Sequence, residues 1–273
     1  MINRILIIPD IHGRTFWKET IDLWDEVEKV VFLGDYLDPY DWERIKWEDA
    51  WSNFMEIVEA RKARPGKVVL LMGNHDYHYA FSEILGMKGS RYNWDAAPKV
   101  TKFFLNNLGL FDFAWSYKNN DGLIYLFTHA GIVPGWLKDN DLKAPASERV
   151  ASWLNNFVAN PITHLPMMWD VSRERGGYAR HGSPIWADHE EHYWNDWRKG
   201  KIYQVFGHSQ DCSHWMAGDT AACLDCRRPF ILLPDSGVFG EPETKEGDRY
   251  WTKVMETMGL PTAEWVKAWI YER

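Results

Sequence analysis

Cysteine is scarce, with three in 273 residues. An odd number cannot all pair with one another, which argues against a disulfide-built scaffold and fits a reducing, cytoplasmic setting. No apolar stretch approaches the ~18 residues that a membrane-spanning helix needs, so no membrane span is expected. Met1-Ile2-Asn3-Arg4 leads straight into the run Ile5 to Ile8, and that apolar part is too short for a secretory signal. Basic residues are in deficit, 31 Lys and Arg against 39 Asp and Glu, giving a formal charge of −8 and a pI near 5.7. This balance argues against a broad nucleic-acid surface, while leaving room for a small, locally positive pocket. Internal repeats and low-complexity tracts are also missing.

The apolar share is ordinary at 45%, but 17 tryptophans are not. They read first as core packing and second as the lining of an aromatic substrate groove. Residues 4–9, Val30 to Leu33 and Val68 to Met72 are short buried runs. Residues 15–28 and 42–63 carry apolar residues at helical spacing, and Pro65-Gly66 closes the second of these. The first 75 residues therefore read strand–helix–strand–helix–strand, which predicts a layered α/β fold with ligands at the carboxyl ends of strands. A helix is expected over 98–108, and strands over Leu123 to Phe127 and Ile202 to Phe206. Ala221 to Leu224 and Phe230 to Leu233 are expected to form a hairpin pair. The whole of 1–273 reads as one domain. It has an irregular, Trp-rich insertion at about 134–200 and a helical tail at about 247–273.

Five fragments share one property. Asp10-Ile11-His12-Gly13, Gly34-Asp35-Tyr36-Leu37-Asp38, Gly73-Asn74-His75-Asp76, Thr128-His129-Ala130 and Gly207-His208-Ser209 each deliver Asp, Asn or His where a strand would end. Carboxylate, amide carbonyl and imidazole are the donors that hard and borderline divalent ions take. Asp10 and His12 stand two apart in a loop leaving a strand, so both can face one ion. Asp35 is the best candidate for a bridging carboxylate, and Asn74, His129 and His208 would complete a second ion. Two ions ~3.5–4 Å apart can share a hydroxide and clamp the attacking and leaving oxygens of a phosphoryl transfer. Gly34, Gly73 and Gly207 precede three of the donors and let the backbone approach closely.

The ordered set resembles the calcineurin-like metallophosphoesterase superfamily. Within it, Asp-Ile-His-Gly and Gly-Asp-x-x-Asp with Tyr36 look most like the phosphoprotein phosphatase branch. That branch includes bacterial and phage protein phosphatases and diadenosine tetraphosphate hydrolases. The motifs span residues 10–208, about three quarters of the chain. The resemblance implies a four-layer α/β/β/α sandwich of two mixed sheets flanked by helices. It implies that Asp10, His12 and Asp35 hold the first metal, and that Asp35, Asn74, His129 and His208 hold the second. His75 would be the general acid with Asp38 hydrogen-bonded behind it. A carboxylate partner suits that role, because it fixes the tautomer and raises the imidazole pKa.

Two departures bear on substrate. The phosphatase branch usually continues with an arginine after the second Asp, where it grips phosphate; here Pro39 and Tyr40 follow Asp38. Arginine matches phosphate bidentately, so Arg91, Arg173, Arg175 and Arg180 are candidate replacements, and His78 is a candidate substrate contact. The place of a second metal-ligating histidine, found in many phosphodiesterases of the superfamily, is Gln210. Cys223 and Cys226, with Cys212 and His214, could be counted as a zinc site. A three-residue step in a strand would put the two cysteines on opposite faces, so buried free thiols are expected instead. His181, His189 and His192 read as surface or insertion residues, and Trp194 and Trp197 as packing. Asp235-Ser236-Gly237 reads as a turn.

The expected activity is a phosphomonoesterase that uses two divalent ions, manganese first, with iron or zinc accepted by the same donors. The alternatives are a nucleotide or dinucleoside polyphosphate hydrolase and a phosphodiesterase. The expected partner is a phosphorylated small molecule, nucleotide or phosphoprotein. A non-catalytic metal-binding scaffold docking through 134–200 would show a damaged ligand set, and all six ligand positions and the acid are present.

Overall fold

The structure is a computed structural model, and it describes residues 3–193, 201–211, 214–217 and 220–242. In chain order, β1 (Ile5–Ile8) and β2 (Lys29–Phe32) are joined through a 3-10 helix over Phe16–Leu23. Helix α1 (Trp47–Ala63) leads to β3 (Val68–Leu71), and α2 (Asn74–Leu85) begins inside the third motif. Helix α3 (Ala97–Asn107) precedes β4 (Phe111–Asp112), β5 (Ala114–Lys118) and β6 (Ile124–Thr128). The short helices α4 (Pro134–Asp139), α5 (Arg149–Asn155) and α6 (Pro161–Met168) follow. The chain then gives β7 (Ile202–Phe206), β8 (Trp215–Ala217), β9 (Ala221–Cys223), β10 (Phe230–Leu233) and β11 (Val238–Gly240).

The strands make two mixed sheets, ordered β11-β10-β1-β2-β3-β4 and β5-β6-β7-β9-β8. In the first, β1, β2, β3 and β4 are parallel; in the second, β6, β7 and β9 are parallel. Side-chain alternation explains the layering. Ile5, Ile7, Val31, Val69 and Leu71 of the first sheet pack with Tyr125, Phe127, Tyr203, Val205 and Ala222 of the second. Their neighbours Leu6, Ile8, Val30, Phe32, Val68 and Leu70 turn the other way, onto Phe54, Ile57 and Val58 of α1. Both faces of these strands are covered, so they read as continuous apolar runs rather than alternating ones. Each such buried side chain contributes ~1.5–3 kcal/mol, which holds the parallel strand ends in fixed register.

Local structure departs from the sequence expectation in four places. Spacing predicts one helix over 15–28, but only the Phe16–Leu23 3-10 segment forms. The Thr20 hydroxyl donates to the Trp17 carbonyl three residues back, an alternative to the α-helical ladder. Residues 42–63 divide into a 3-10 turn at Asp41–Glu43 and α1, separated by Arg44 at φ 57°. The expected hairpin is not one: β9 pairs parallel to β7, whereas β10 pairs antiparallel to β1 in the other sheet. The intervening residues carry the chain across, with Arg227 at φ 61°. Periodicity identifies both strands but contains nothing about their partners. Strands β4, β5, β8 and β11 and helix α2 are additions to the expected elements. The stretch 134–193 buries Trp136, Leu154, Phe157, Leu165, Met168 and Ile185 in the helix-side core. The expected helical tail, Trp194 and Trp197 lie outside the described residues.

Candidate functional site

Because β1, β2, β3, β6 and β7 are parallel within their sheets, their carboxyl ends and the five motifs gather at one edge. The turns are tight. His12, Asp35, Asp38 and His208 all have positive φ, at 43°, 53°, 58° and 68°. Such conformations cost non-glycine residues free energy and persist where surrounding structure imposes them. Two glycines make the crowding possible. A Cβ on Gly73 would lie 2.1 Å from Asp35 Oδ1, and one on Gly207 2.2 Å from Asp10 Oδ1.

Proton positions follow from the partners. His12 Nδ1 donates to the Leu37 carbonyl and His129 Nδ1 to the Leu33 carbonyl, each at 2.8 Å. Both rings therefore turn their Nε2 atoms inward. His129 Nε2 lies 3.0 Å from Asn74 Oδ1, 3.1 Å from His208 Nδ1, 3.6 Å from Asp35 Oδ2 and 4.0 Å from Asp10 Oδ2. His12 Nε2 lies 3.4 Å from the same Asp35 Oδ2. Asp10, His12, Asp35, Asn74, His129 and His208 are all buried. Burial, then repulsion from Asp35, pushes the Asp10 carboxyl well above its usual range. Burial, then the charges of His75, Arg91 and Arg14, pushes His12 well down; burial, then Arg175, does the same to His208.

These residues fit a pair of cations. Electron-pair donors face one another with few protons between them, an arrangement that costs free energy unless positive charge is supplied. Two groups that could each hold an ion, His12–Asp35–His75 and Asp35–His129–His208, share Asp35. The depressed imidazoles are neutral, which is the ligating form.

Beside them lies a hydrogen-bonded chain centred on Asp38. His75 Nδ1 is 2.8 Å from Asp38 Oδ2, and Tyr79 Oη donates to Asp38 Oδ1 at 2.6 Å. Burial would raise the Asp38 carboxyl, but hydrogen bonds from His75 and His78 outweigh it, so the group stays below its ordinary value. His78 is buried beneath Asp38, with Nε2 2.8 Å from Oδ2. Its ring, expected from the sequence to be a candidate substrate contact, lies buried against the carboxylate.

The four candidate arginines separate. Arg91 Nη2 is 3.0 Å from His75 Nε2, and its guanidinium lies 3.6 Å over the Tyr40 ring. Arg175 reaches the rim, 3.4 Å from Asp188 Oδ2 and 3.5 Å from the His208 carbonyl. Arg173 and Arg180 are exposed and touch none of the candidate ligands. His181 pairs with Asp139 and His189 with Asp188, while His192 buries its ring and donates to the Ala130 carbonyl. Cys223 and Cys226 are buried and form no disulfide, and burial pushes both thiols up. Neither belongs to a potential metal group among the described residues, and Cys212 lies outside them.

Four residues near the site escape the sequence reading. Arg14 follows Gly13 directly; its Nε donates to Glu43 at 2.7 Å and its Nη1 to the Asp10 carbonyl at 3.1 Å. Arg227 stands 3.1 Å from the same Glu43 oxygen. Asp225, just past the end of β9, is buried, and burial followed by the Asp10 charge pushes its carboxyl up. Asp76 closes the third motif and accepts three backbone N–H groups, from Asp35, Tyr36 and Gly73. The available signals are adjacency to motifs for Arg14 and Asp76 and a strand-end position for Asp225.

The family model for calcineurin-like phosphoesterases matches residues 3–224. A point mutant of a cold-active protein tyrosine phosphatase superposes with a TM-score of 0.55 at 16% identity, covering 89% of this chain and 81% of that one. The cold-active protein-tyrosine phosphatase of the psychrophile Shewanella sp. gives 0.54 at 17% identity over the same shares, 89% and 81%. At these identities the likeness is one of fold: two mixed sheets flanked by helices. No curated protein is significantly similar in sequence. Among the described residues, no helix is long and apolar enough to cross a membrane.

Proposed function

Since the chain belongs to the calcineurin-like phosphoesterase family, and is thus a metal-dependent phosphoric ester hydrolase, we propose that it is a dinuclear-metal phosphatase acting on phosphomonoesters. Asp10, His12 and Asp35 would hold one ion, and Asp35, Asn74, His129 and His208 the other. The mixed oxygen and imidazole donors suit manganese first and accept iron or zinc. When bound, the ions would supply Lewis acidity, activating water and neutralising phosphoryl oxygens. One observation carries this reading: Asp35 Oδ2 lies between His12 Nε2 and His129 Nε2, at 3.4 and 3.6 Å. A single carboxylate oxygen thereby belongs to both donor sets.

The protein's own groups handle the proton. With Nδ1 hydrogen-bonded to Asp38, His75 presents Nε2 to the site, and an imidazolium there donates to the departing alkoxide oxygen. Asp38 holds the ring in that orientation, while His78 and Tyr79 hold Asp38. The buried cysteines Cys223 and Cys226, which form no disulfide, support a cytoplasmic setting.

Manganese loading and a substrate panel test the proposal. Wild type binds two ions per chain and hydrolyses an aryl phosphate. Asp35→Ala loses both ions together, because the bridging carboxylate serves both. One tightly bound ion that survives Asp35→Ala would overturn the shared site. Comparing phosphopeptide, nucleotide and diester substrates then assigns the substrate class.

A further inference from the structure

Arg91 differs from every other arginine around the site. Arg14 is paired with Glu43, Arg227 stands beside that same carboxylate, and Arg175 is paired with Asp188. No carboxylate lies within ion-pair distance of Arg91 among the described residues. An aromatic face, Tyr40, holds it instead, with the guanidinium 3.6 Å from the ring centroid. Its Nη1 is buried and has no hydrogen-bond partner, and its Nη2 touches His75 Nε2 at 3.0 Å. A cation–π contact positions a guanidinium without using its N–H donors or cancelling its charge. Tyr40 in turn packs edge-on against His12, with ring centroids 5.2 Å apart. The guanidinium, with Nη1 unpartnered, therefore lies beside the candidate acid and on the ring that packs against a candidate metal ligand.

The loop that carries Arg91 is pinned on both sides to the acid relay. The Gly89 N–H donates to His78 Nδ1 at 3.2 Å, and the Asn93 N–H to Tyr79 Oη at 2.9 Å. His78 and Tyr79 are the two groups that brace Asp38 from behind. Between the pins, Arg91 takes φ 58°, an unfavourable conformation for a long side chain. One carboxylate thus fixes both the acid His75 and the loop that brings Arg91 beside it.

We infer that Arg91, laid on Tyr40, grips the phosphoryl group of the substrate in place of the arginine missing after Asp38, and favours terminal phosphomonoesters over diesters. Pro39 and Tyr40 then have a joint explanation: the position that lacks the arginine supplies the platform for one arriving from the loop after α2. A monoester dianion has three non-bridging oxygens to offer, so one can meet a bidentate guanidinium while others face the ions; a diester has two. Arg91 is a substrate-contacting residue in this scheme, and Tyr40 a positioning residue. The inference rests on the proposed function and extends it to substrate class.

Inorganic phosphate binding to the manganese-loaded protein, measured by calorimetry, is the primary test. Arg91→Ala weakens it about 10- to 100-fold, the usual worth of a charged bidentate contact, while two ions per chain remain bound. Arg91→Lys recovers part of the loss. Tyr40→Phe stays near wild type, and Tyr40→Leu falls toward Arg91→Ala, because the ring face and not the hydroxyl is the support. Arg180→Ala leaves phosphate binding unchanged. In turnover, Arg91→Ala lowers kcat/KM for phenyl phosphate at least tenfold more than for bis(p-nitrophenyl) phosphate. Unchanged phosphate affinity in metal-replete Arg91→Ala, or equal losses on the two esters, overturns the assignment. A wild type that binds phosphate through Arg91 yet hydrolyses no ester sinks the proposed function and leaves the phosphate contact standing. A metal-loaded wild type that binds no phosphate overturns both.

Discussion

Asp76 Oδ2 accepts the backbone N–H of Asp35 at 2.7 Å, so a carboxylate in the third motif sets the backbone of the second. The same side chain takes the Gly73 N–H at 2.9 Å and the Tyr36 N–H at 3.0 Å. Asp35 has φ 53° and does not hold that turn by preference. Asp76→Ala strands three buried donors, which costs ~1–3 kcal/mol for each left unsatisfied. Urea unfolding of the metal-free protein is therefore expected to show a loss of about 3 kcal/mol or more. Asp76→Asn, which keeps one acceptor oxygen, falls between. Manganese content declines in both variants as the Asp35 turn relaxes. Wild-type stability in Asp76→Ala would mean that the turn holds itself.

The His75–Asp38 pair makes a prediction about leaving groups. An acid matters most when the departing oxygen is a strong base. His75→Ala should cost about 10²–10⁴-fold in kcat on an alkyl phosphate and much less on p-nitrophenyl phosphate, whose leaving group departs without a proton. On the proposed reading His75 supplies a proton and no metal ligand, so metal content is expected to stay at the wild-type value. His78→Phe, acting through Asp38, lowers kcat on the alkyl ester by a smaller factor. Equal losses on both esters would show that His75 acts on binding instead of proton transfer.

Much of the site is legible in the sequence because its chemistry is carried by short motifs at strand ends. The parallel strands are apolar on both faces, so their limits are sharp, and the donors fall just beyond them at Asp10, Asp35, Asn74, His129 and His208. What escapes depends on pairings that no local pattern encodes. Nothing near Phe230 reveals that β10 lies beside β1 and not β9. Helix α2 begins at Asn74, so that a motif read as a loop is also a helix start. Arg91 reaches His75 only because Gly89 and Asn93 anchor their loop to His78 and Tyr79. Those are contacts across 11 and 14 residues with no periodic signature. Asp76 is in view as part of a motif, but its three backbone partners exist only in the fold.

Gly73 gives a test of crowding. A Cβ there would meet Asp35 Oδ1 at 2.1 Å and His129 Cε1 at 2.8 Å, one side chain from each sheet. Neither neighbour has room, since both are buried and hydrogen-bonded. Gly73→Ala should push Asp35 off its position between His12 and His129. Manganese titration is expected to show at least tenfold weaker binding, with both ions affected. Gly66→Ala is the matched control, because nothing lies within 4 Å of its added Cβ. Full metal affinity in Gly73→Ala would mean that the Asp35 turn can shift without disturbing the donors.

His192 ties the fold to pH. It is fully buried on the insertion side, its ring 4.5 Å from Phe206, with Nε2 donating to the Ala130 carbonyl at 3.1 Å. Burial outweighs that hydrogen bond and, with help from the nearby His189 charge, lowers its pKa to about 4; Asp188 opposes the shift. The sign follows from proton counting. Below pH ~6.5 the unfolded chain binds a proton at this residue, and the folded chain refuses it until about pH 4. Stability from the neutral ring is thus complete above pH ~6.5 and is lost progressively as pH falls toward 4. Between pH 7 and pH 5 the loss assigned to this one residue is about 2 kcal/mol. His12, His78 and His208 are also held below their ordinary values, so wild type should lose more than that amount. His192→Gln keeps an N–H for the Ala130 carbonyl but carries no titrating ring. Guanidinium unfolding of metal-free wild type and variant at both pH values should show a pH-induced loss smaller by about 2 kcal/mol in the variant. An identical pH dependence in the two proteins would place the sensitivity in the other histidines and leave His192 a packing residue.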